Sequence, residues 1–202
     1  IVSHADSDHS GGALSVMAAI PVTTLLSSLD QDHPIQQAAM SGHPCEGGQS
    51  WRWDDVQFEL LHPLAHDYNN LQRKTNANSC VLKISTQHGS VLLPSDIEQN
   101  DEYALLARAR DKLTATVLIA PHHGSNTSST DAFVRQVNPA LTIFTVGYRN
   151  RYGHPRENII ARYQAQGSEL LRSDAAGAIL LRFADDGLSV DAWRDLRRRY
   201  WQ

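Results

Sequence analysis

Four side chains that can bind a metal ion lie within six residues near the start of the sequence: His4, Asp6, Asp8 and His9. They follow residues 1–3, which the pattern predicts to be the end of a β-strand. Alternate side chains at a strand end can converge on one ion, and the adjacent pair Asp8 and His9 can serve a second. Gly11 and Gly12 then let the backbone turn away without a Cβ clash. The alternative is a solvated polar turn, but a cluster of this density favours a metal site.

Asp96 is the second candidate, because it follows an apolar strand directly and precedes a predicted helix. A carboxylate at such a position either caps the helix N-terminus or bridges metal ions. Taken alone, the residue is best interpreted as a cap. Together with the first cluster, it is predicted to be a bridging ligand.

Two adjacent histidines, His122 and His123, follow an apolar strand over residues 117–120. Packing gives little reason for two histidines at the end of a buried strand, whereas neutral imidazole is the commonest metal ligand in proteins. The run after them, which includes Ser125, carries N–H groups and hydroxyls suited to an anion. The alternative interpretation is a surface turn.

Two further polar residues are candidates for the same cleft. His154, within residues 150–155, can be a metal ligand, a proton donor to a leaving group or an ordinary loop histidine. Asn78 precedes a predicted hairpin, so its amide can face the cleft or satisfy the backbone of a turn. The residues alone leave both choices open.

These candidates need strand ends and tight loops to bring them together. Period-two alternation predicts strands that pair as hairpins, over residues 51–60 and 80–93. Further strands are predicted over 116–120, 141–146, 169–172, 177–183 and 188–193. Helices are predicted over 13–20, 98–110, 131–137 and 157–166. Residues 30–50 are predicted to be a surface excursion, and Tyr103, Leu106 and Ala107 are placed on the inner face of the second helix. Hairpins alternating with single helices predict an α/β (α+β) fold of mixed sheets covered by helices, in one domain over residues 1–202.

The composition sets the limits of this interpretation. The chain has 202 residues, of which 41% are hydrophobic, enough for one domain with a sizeable core. Its net charge of -4 gives no overall basic field that would announce a nucleic-acid partner, although a local patch remains compatible. No apolar run approaches the roughly 20 residues of a membrane span, and no signal peptide is recognisable. Cys45 and Cys80 form either one disulfide or two buried thiols.

Taken together, the motifs resemble the metallo-β-lactamase superfamily, and within it the C-terminal domain of ComEC-type DNA internalisation proteins. The resemblance runs from end to end. It rests on Ser-His-x-Asp-x-Asp-His-x-Gly-Gly at residues 3–12, the segments 45–54 and 78–82, Asp-Ile-Glu at 96–98, Pro-His-His-Gly-Ser at 121–125 and Gly-His-Pro at 153–155. The implied fold is an αββα sandwich. That domain begins with several strands before the first motif, so the chain is predicted to be a fragment with an incomplete sheet.

The resemblance also implies a ligand set for two divalent ions: His4 and Asp6 for one, Asp8, His9 and His122 for the other, with Asp96 bridging. Two departures from the superfamily pattern bear on the metal. Asp6 stands where a second histidine is usual, and no histidine lies near Asn78. Carboxylate-rich sites favour harder ions, so Mn²⁺ is predicted in preference to Zn²⁺.

The implied reaction is metal-assisted hydrolysis of phosphodiester bonds. Asp8 or Asp96 would orient the nucleophile, and His154 would bind phosphate or protonate the leaving oxygen. The remaining three residues, His123, Ser125 and Asn78, are predicted to bind phosphate.

The resemblance further implies a nuclease domain of a DNA-uptake channel protein that degrades the strand that is not imported. The predicted partners are DNA, single-stranded in preference, and the rest of the membrane channel, with no soluble protein partner. The expected location is the inner (cytoplasmic) membrane, with this domain soluble and facing the periplasm. Two alternatives stay open: a degenerate metal site in a non-catalytic DNA-binding or scaffold domain, and a hydrolase of small esters or lactones with the same fold.

Overall fold

The computed structural model describes residues 1–70 and 72–197. The strands in chain order are β1 (Leu25–Ser27), β2 (Gly42–Pro44), β3 (Ser50–Trp53), β4 (Val56–His62), β5 (Val81–Thr86), β6 (Gly89–Leu93), β7 (Val117–Ile119), β8 (Leu141–Phe144), β9 (Glu169–Arg172), β10 (Ile179–Ala184) and β11 (Gly187–Ala192). The α-helices are α1 (Ser7–Ser10), α2 (Ala13–Ala19), α3 (Pro34–Ala38), α4 (Gln99–Arg108), α5 (Asp131–Val137), α6 (Glu157–Ala165), α7 (Ser173–Ala176) and α8 (Trp193–Leu196). Short 3₁₀ helices cover Ala65–Asn69, Asn76–Asn78, Arg110–Lys112 and Pro121–Gly124.

The central element is a seven-stranded sheet in the order β3-β4-β5-β6-β7-β8-β9. Strands β3 to β6 pair antiparallel, whereas β6 to β9 pair parallel. The carboxyl ends of β6, β7 and β8 therefore meet at one edge of the sheet. The loops that leave this edge carry Asp96, the His122–His123 pair and His154, and ligand sites of α/β sheets lie at such edges.

The two faces of the large sheet bury different sets of side chains. Alternate residues such as Leu61, Val81 and Leu92 face a core shared with α4, α5 and α6. Their neighbours Leu60 and Leu82 face the opposite way, towards Leu26 of β1. This split follows from the period of two along a strand, so the sheet needs a covering layer on each side.

The second layer contains a smaller sheet and a hairpin. Strands β1 and β2 pair parallel, and Val2 bridges Ser27 beside them. The antiparallel pair β10-β11 covers the β6–β9 half of the large sheet, where Phe183 and Leu188 pack on its apolar side chains. Helices α2 and α3 close the outer side of β1-β2 through a cluster that includes Leu25 and Ile35. The order helices, sheet, sheet, helices is the αββα sandwich that the sequence predicts.

The predicted hairpins, strands and helices are found with shifts of a few residues at their ends, but the prediction for residues 30–50 is wrong. That segment contains α3 and β2, and Ile35 and Cys45 are buried within it. The many polar residues around these two side chains mask a short amphipathic pattern. A few well-placed apolar residues are enough to dock a segment whose average composition is polar.

The predicted inner face of α4 is right for Leu106, which packs against the core, but wrong for Tyr103 and Ala107. Leu105 is buried as part of the true inner face, together with Asp101 and Glu102, whereas Tyr103 is 53% exposed. Ala107 is exposed as well, and Leu106 is partly buried. The reason is polar pairing: Asp101 accepts a hydrogen bond from Arg73 at 2.8 Å. Glu102 accepts one from the backbone N–H of Thr130 at 2.7 Å. Buried carboxylates with partners turn the helix away from the face that apolar periodicity alone selects.

Cys45 and Cys80 form a disulfide, with their Cα atoms 5.8 Å apart. Both residues are buried, and the bond closes a loop with a sequence separation of 35. Cys45 follows β2 and Cys80 precedes β5, so the bond ties the small sheet to the large one. The sequence leaves open a disulfide or two buried thiols, and the structure shows the disulfide. No helix among the described residues is long and apolar enough to span a lipid bilayer.

His62 is a buried histidine at the end of β4, away from the predicted site. Its Nε2 donates to the carbonyl of Ala77 at 2.8 Å, and its Nδ1 accepts from Arg108 at 2.6 Å. Burial, reinforced by the nearby charges of Arg108 and Arg73, lowers the pKa of His62 to about 4. The ring is therefore neutral in the folded protein at pH 7.

Protonation of His62 should make stability depend on pH. Its folded pKa lies below the unfolded value of about 6.5, so its contribution is complete above that value and is lost as the pH falls towards 4. Between pH 7 and pH 4.5 we expect wild-type protein to lose about 2–3 kcal/mol more unfolding free energy than His62→Gln. Urea unfolding at both pH values measures this difference. The exposed His43→Gln should behave like the wild type, and equal losses in wild type and His62→Gln would contradict the prediction.

Candidate metal centre

His4 lies between the two sheets and is buried, with 1% of its surface exposed. Its Nδ1 is faced by the hydroxyls of Ser3, Ser79 and Ser95, at 3.2, 3.3 and 3.4 Å. Its Nε2 is buried and has no hydrogen-bond partner, although carboxylate oxygens of Asp6 and Asp96 lie 3.7 and 3.8 Å away. Burial, and then the proximity of His9, lowers the pKa of His4 and favours the neutral ring that metals require.

Asp8 and His9 are presented by α1, a single helical turn that begins just after Asp6. The His9 Nδ1 faces the hydroxyl of Ser3 at 3.2 Å. Its Nε2 points into the cluster, 3.2 Å from the carboxylate of Asp96. The turn therefore aims two potential ligands into the cleft, and a hydroxyl fixes the orientation of the ring.

Asp96 lies at the centre of the cluster and is 4% exposed. It follows Ser95, which has a left-handed backbone with φ 54°. Four imidazoles lie 3.2 to 3.9 Å from its carboxylate, those of His4, His9, His122 and His123. Burial alone would raise the pKa of Asp96, but hydrogen bonds to His123 and His9 outweigh it and hold the pKa well below its usual range. No Arg or Lys of the described residues pairs with this carboxylate, so a divalent cation fits the space.

The turn Pro121–Gly124 holds three consecutive residues in the left-handed region, His122 (φ 48°), His123 (φ 56°) and Gly124 (φ 82°). A Cβ at Gly124 would lie 2.7 Å from the Cβ of Pro155 and 2.8 Å from the ring of Phe144. Only glycine fits there without displacing its neighbours. Strained backbone of this kind persists where the surroundings impose it, commonly at functional sites, and here it directs two adjacent imidazoles towards the cleft.

The two adjacent histidines have different surroundings. His123 donates from Nδ1 to the carbonyl of Thr145 at 2.8 Å, and its Nε2 lies 3.2 Å from both Asp8 and His9. His122 has its Nδ1 beside Thr127 at 3.1 Å and its Nε2 3.9 Å from Asp96. The sequence predicts His122 as the ligand and His123 as a phosphate contact, whereas the geometry favours His123 as the ligand. The hydrogen bond to Asp96 raises the pKa of His123 to about 9, and a bound cation would take the place of that proton.

Ligand atoms lie within 4.8 Å of one another in two groups among the described residues: His4, His9 and Asp96, and Asp8, His9 and His123. Imidazole nitrogens and carboxylate oxygens are suitable donors for Zn²⁺, Mn²⁺ and similar ions. The buried Nε2 of His4 has no hydrogen-bond partner, and no Arg or Lys of the described residues neutralises the buried Asp96, so both suit a bound cation. The residues therefore fit the divalent ions that the sequence predicts.

The other predicted residues lie at the edges of this cluster. Asp6 is half-exposed beside His4. Asn78 lines a cavity of about 200 Å³ together with His4, and its buried Oδ1 has no partner. His154 packs against His122, with 6.0 Å between ring centroids, and its buried Nδ1 also lacks a partner. Ser125 differs, because its hydroxyl bonds Thr127 at 3.1 Å inside its own turn, so its role as a phosphate contact stays a prediction.

Several polar residues that support the cluster were not among the predicted site residues: Ser3, Ser95, Thr145 and Asn150. Asn150 clamps the backbone of His154 from both sides. Its side-chain amide donates to the His154 carbonyl at 2.7 Å, and its Oδ1 accepts from the His154 N–H at 2.9 Å. The only signal in the sequence is that such residues neighbour the candidate ligands, which does not rank them above other loop residues.

The cluster opens into two adjoining cavities of about 410 and 370 Å³. Both are lined by Asp8, His123, Tyr152 and His154. Carboxylates and imidazoles around a common open space, set at the carboxyl ends of parallel strands, suit hydrolysis assisted by metal ions. Burial, and then the nearby His122 and Arg156, lowers the pKa of His154, so its ring is neutral at pH 7 and can donate one N–H to this space.

Residues 1–147 match the profile of the Metallo-beta-lactamase superfamily. The chain belongs to the metallo-β-lactamase superfamily. The matched range contains every candidate ligand discussed above, and it ends just before the loop of His154. The superfamily fold explains why ligands from three separate segments meet at the edge of one sheet.

Within the metallo-β-lactamase superfamily, the chain is similar along its whole length to competence proteins. It is 33% identical to Competence protein ComA of Neisseria gonorrhoeae over 202 residues, which are 100% of this chain and 27% of that protein. It is 29% identical to Recombination protein 2 of Haemophilus influenzae, over 96% of this chain and 23% of that protein. The chain thus spans about a quarter of the length of these relatives. The predicted resemblance to ComEC-type proteins is confirmed.

Solved structures of the metallo-β-lactamase fold support the same architecture. CmlA, a diiron β-hydroxylase from Streptomyces venezuelae, superimposes with a TM-score of 0.56 at 10% identity, over 84% of this chain and 42% of that chain. A Parabacteroides distasonis protein assigned as a metal-dependent hydrolase gives 0.54 at 11% identity, over 86% and 74%. At these identities the likeness establishes the fold alone, and the predicted αββα sandwich is confirmed.

Proposed function

We propose that this chain is a metal-dependent nuclease that hydrolyses phosphodiester bonds as one domain of a DNA-uptake protein. The observation that carries the proposal is the buried Asp96 with four imidazoles around it and no permanent cation. Such a centre is built for a cationic cofactor and an anionic substrate. Divalent ions, when bound, would neutralise charge on the phosphate and lower the pKa of the attacking water.

The ligand set that we propose differs at one position from the set predicted from the sequence. His4, Asp6 and Asp96 would hold one ion, and Asp8, His9 and His123 would hold the other, with Asp96 close to both groups. His122 then lies at the rim, where its ring packs against His154. Three carboxylates among these ligands favour Mn²⁺ over Zn²⁺.

The remaining residues act on the substrate. Asp8 and Asp96 orient the attacking water, and Asp8 accepts its proton. His154, whose buried Nδ1 lacks a partner, donates the N–H of its neutral ring to the phosphate, and Asn78 donates its side-chain N–H groups to it. A water molecule supplies the proton to the leaving oxygen. Buried polar atoms without partners are costly unless a ligand satisfies them, which supports a polar substrate in this cleft.

DNA as the substrate is supported by the relatives, which are named for competence and recombination. We infer that the strand degraded is the one that is not imported, and that the other three quarters of the protein form the membrane channel. The disulfide supports a domain that faces the periplasm, because such bonds form and persist in oxidising compartments. The inner membrane would then anchor the protein as a whole.

The two adjacent histidines give the sharpest test of the ligand set. We expect His123→Ala to lower Mn²⁺-dependent cleavage of labelled single-stranded DNA about 10²-fold, and His122→Ala to lower it about 10-fold or less. Metal content by mass spectrometry should fall by about one ion per chain in His123→Ala and stay unchanged in His122→Ala. The reverse ranking would restore His122 as the ligand.

The same measurements on the wild type decide between the proposed function and its alternatives. Mn²⁺-dependent cleavage of DNA supports the nuclease. Bound metal without cleavage of DNA, but with turnover of a small ester or lactone, would replace it with a small-substrate hydrolase. If the wild type neither binds metal nor turns over any of these substrates, the domain is a non-catalytic scaffold.

A further inference from the structure

The loop between β8 and α6 carries two exposed tyrosines, and one of them, Tyr152, lines the cavities of the candidate metal centre. Tyr148 is 70% exposed and Tyr152 is 59% exposed. A large aromatic side chain gains much favourable free energy when it is buried. Two of them exposed on one loop therefore call for an explanation. Their position on one short loop suggests a common partner.

Each tyrosine is paired with the arginine that adjoins it in sequence. The guanidinium of Arg149 lies 5.1 Å from the ring centre of Tyr148, and that of Arg151 lies 5.0 Å from the ring centre of Tyr152. Arg156 adds a third cation to the same loop. Within the described part of the chain none of these three arginines pairs with a carboxylate. The loop therefore combines aromatic planes with uncompensated positive charge, in a chain whose net charge is -4.

The shape of the loop is fixed before any partner binds. The amide of Asn150 holds both backbone groups of His154, and the N–H of Arg156 donates to the carbonyl of Gly124 at 3.0 Å. Gly153, with φ 65°, allows the turn between the two clamped points. A prearranged surface loses less conformational entropy on binding than a flexible one.

The loop is continuous with the candidate metal centre on one side and with an open, charged groove on the other. The ring of Tyr152 stacks on His154, with 6.0 Å between centroids and 14° between planes, and it lines the two cavities above Asp8 and His123. On its outer side, Arg149, Arg156 and Arg172 line an open groove of about 690 Å³, together with the carboxylates of Glu157 and Asp174. Arg172 pairs with Asp174 at 2.7 Å, which leaves Arg149 and Arg156 as the unpaired cations of the groove among the described residues. A chain molecule lying along the loop would run from the groove into the cleft.

We propose that residues 148–156 form a docking surface for single-stranded DNA. On binding, Arg149 and Arg151 turn from the tyrosine rings to the phosphates, bases stack on the ring faces that the arginines leave, and the strand is led to the metal centre. Stacking on aromatic planes needs unpaired bases with free faces, which is why the partner is a single strand. This inference rests on the proposed nuclease function and names how that site holds its substrate.

Binding is tested without turnover, by fluorescence anisotropy of a labelled oligothymidylate of about 15 nucleotides in EDTA. We expect the double variant Tyr148→Ala/Tyr152→Ala to bind about 10-fold or more weakly, and the matching double Phe variant to bind within about 2-fold of wild type. Arg149→Ala/Arg151→Ala should reduce the slope of log affinity against log salt by about 1.4. Tyr103→Ala and Arg135→Ala, exposed on other helices, are the matched controls and should bind as wild type.

Two results would overturn the docking surface: wild type that does not bind the oligonucleotide, or loop variants that bind as tightly as the controls. The nuclease proposal is judged separately, by Mn²⁺-dependent cleavage of the same oligonucleotide by the wild type. Weaker binding by the loop variants without wild-type cleavage would keep the docking surface and reject the nuclease. If the wild type cleaves the oligonucleotide and the loop variants bind it as tightly as wild type, the nuclease is kept and the docking surface is rejected.

Discussion

Asp96→Asn is expected to abolish metal-dependent activity, with a loss of about 10³-fold or more. Asp96 is the one candidate ligand in contact with all four clustered imidazoles. Asparagine keeps the size of the side chain but removes the negative charge that offsets the cations. Metal affinity and turnover should therefore fall together.

Thermal unfolding gives a second readout that does not depend on turnover. Saturating Mn²⁺ should raise the Tm of wild type, because a ligand that binds only the folded state stabilises it. It should raise the Tm of Asp96→Asn much less, because only the ligands of one ion remain complete. Asp111→Asn should respond like the wild type, because this carboxylate is exposed in the 3₁₀ helix Arg110–Lys112 and is not a candidate ligand. A normal Mn²⁺ shift in Asp96→Asn would show that the bridging role is misassigned.

Removal of the disulfide should destabilise the protein by about 3–4 kcal/mol, as expected for the closed loop that it forms. The bond is buried and joins the layer of β2 to that of β5. Urea unfolding of Cys45→Ala/Cys80→Ala measures the loss. We also expect weaker Mn²⁺ binding, because the N–H of Cys80 donates to the carbonyl of Ser3 at 3.0 Å, next to His4.

Reducing agent supplies the control for the two removed side chains. Dithiothreitol should destabilise the wild type and have no effect on the double alanine variant. If the reduced and oxidised wild type unfold at the same urea concentration, the bond is not the source of the stability. The compartment argument for a periplasmic domain would then lose its structural support.

Much of the site was predictable because its residues differ from what packing requires. Two histidines and two aspartates within six residues after a predicted strand end are not needed for core packing. The same is true of two histidines at the end of a buried strand. Their order in the chain also identified the superfamily, and the fold followed from it. The parallel strands then explain why distant segments meet, since their carboxyl ends share one edge.

What the sequence left open depends on rotations and partners that no spacing encodes. His122 and His123 are neighbours, and left-handed backbone at both decides which imidazole enters the cluster. The inner face of α4 depends on Arg73, which lies in a distant loop and pairs with Asp101. The disulfide was open because two cysteines 35 residues apart carry no information about their distance in space.

The candidate ligands are widely separated along the chain, and this affects when the site is completed during folding. His9 and His123 are 114 residues apart, and His4 is 91 residues from Ser95, the neighbour of Asp96. Closing such long loops costs more entropy than forming the local hairpins β3-β4 and β5-β6. We therefore expect the ligands to meet only after the large sheet has formed. Interactions made that late slow unfolding and leave the folding rate little changed, so bound ions should lengthen the lifetime of the folded protein without helping it to form.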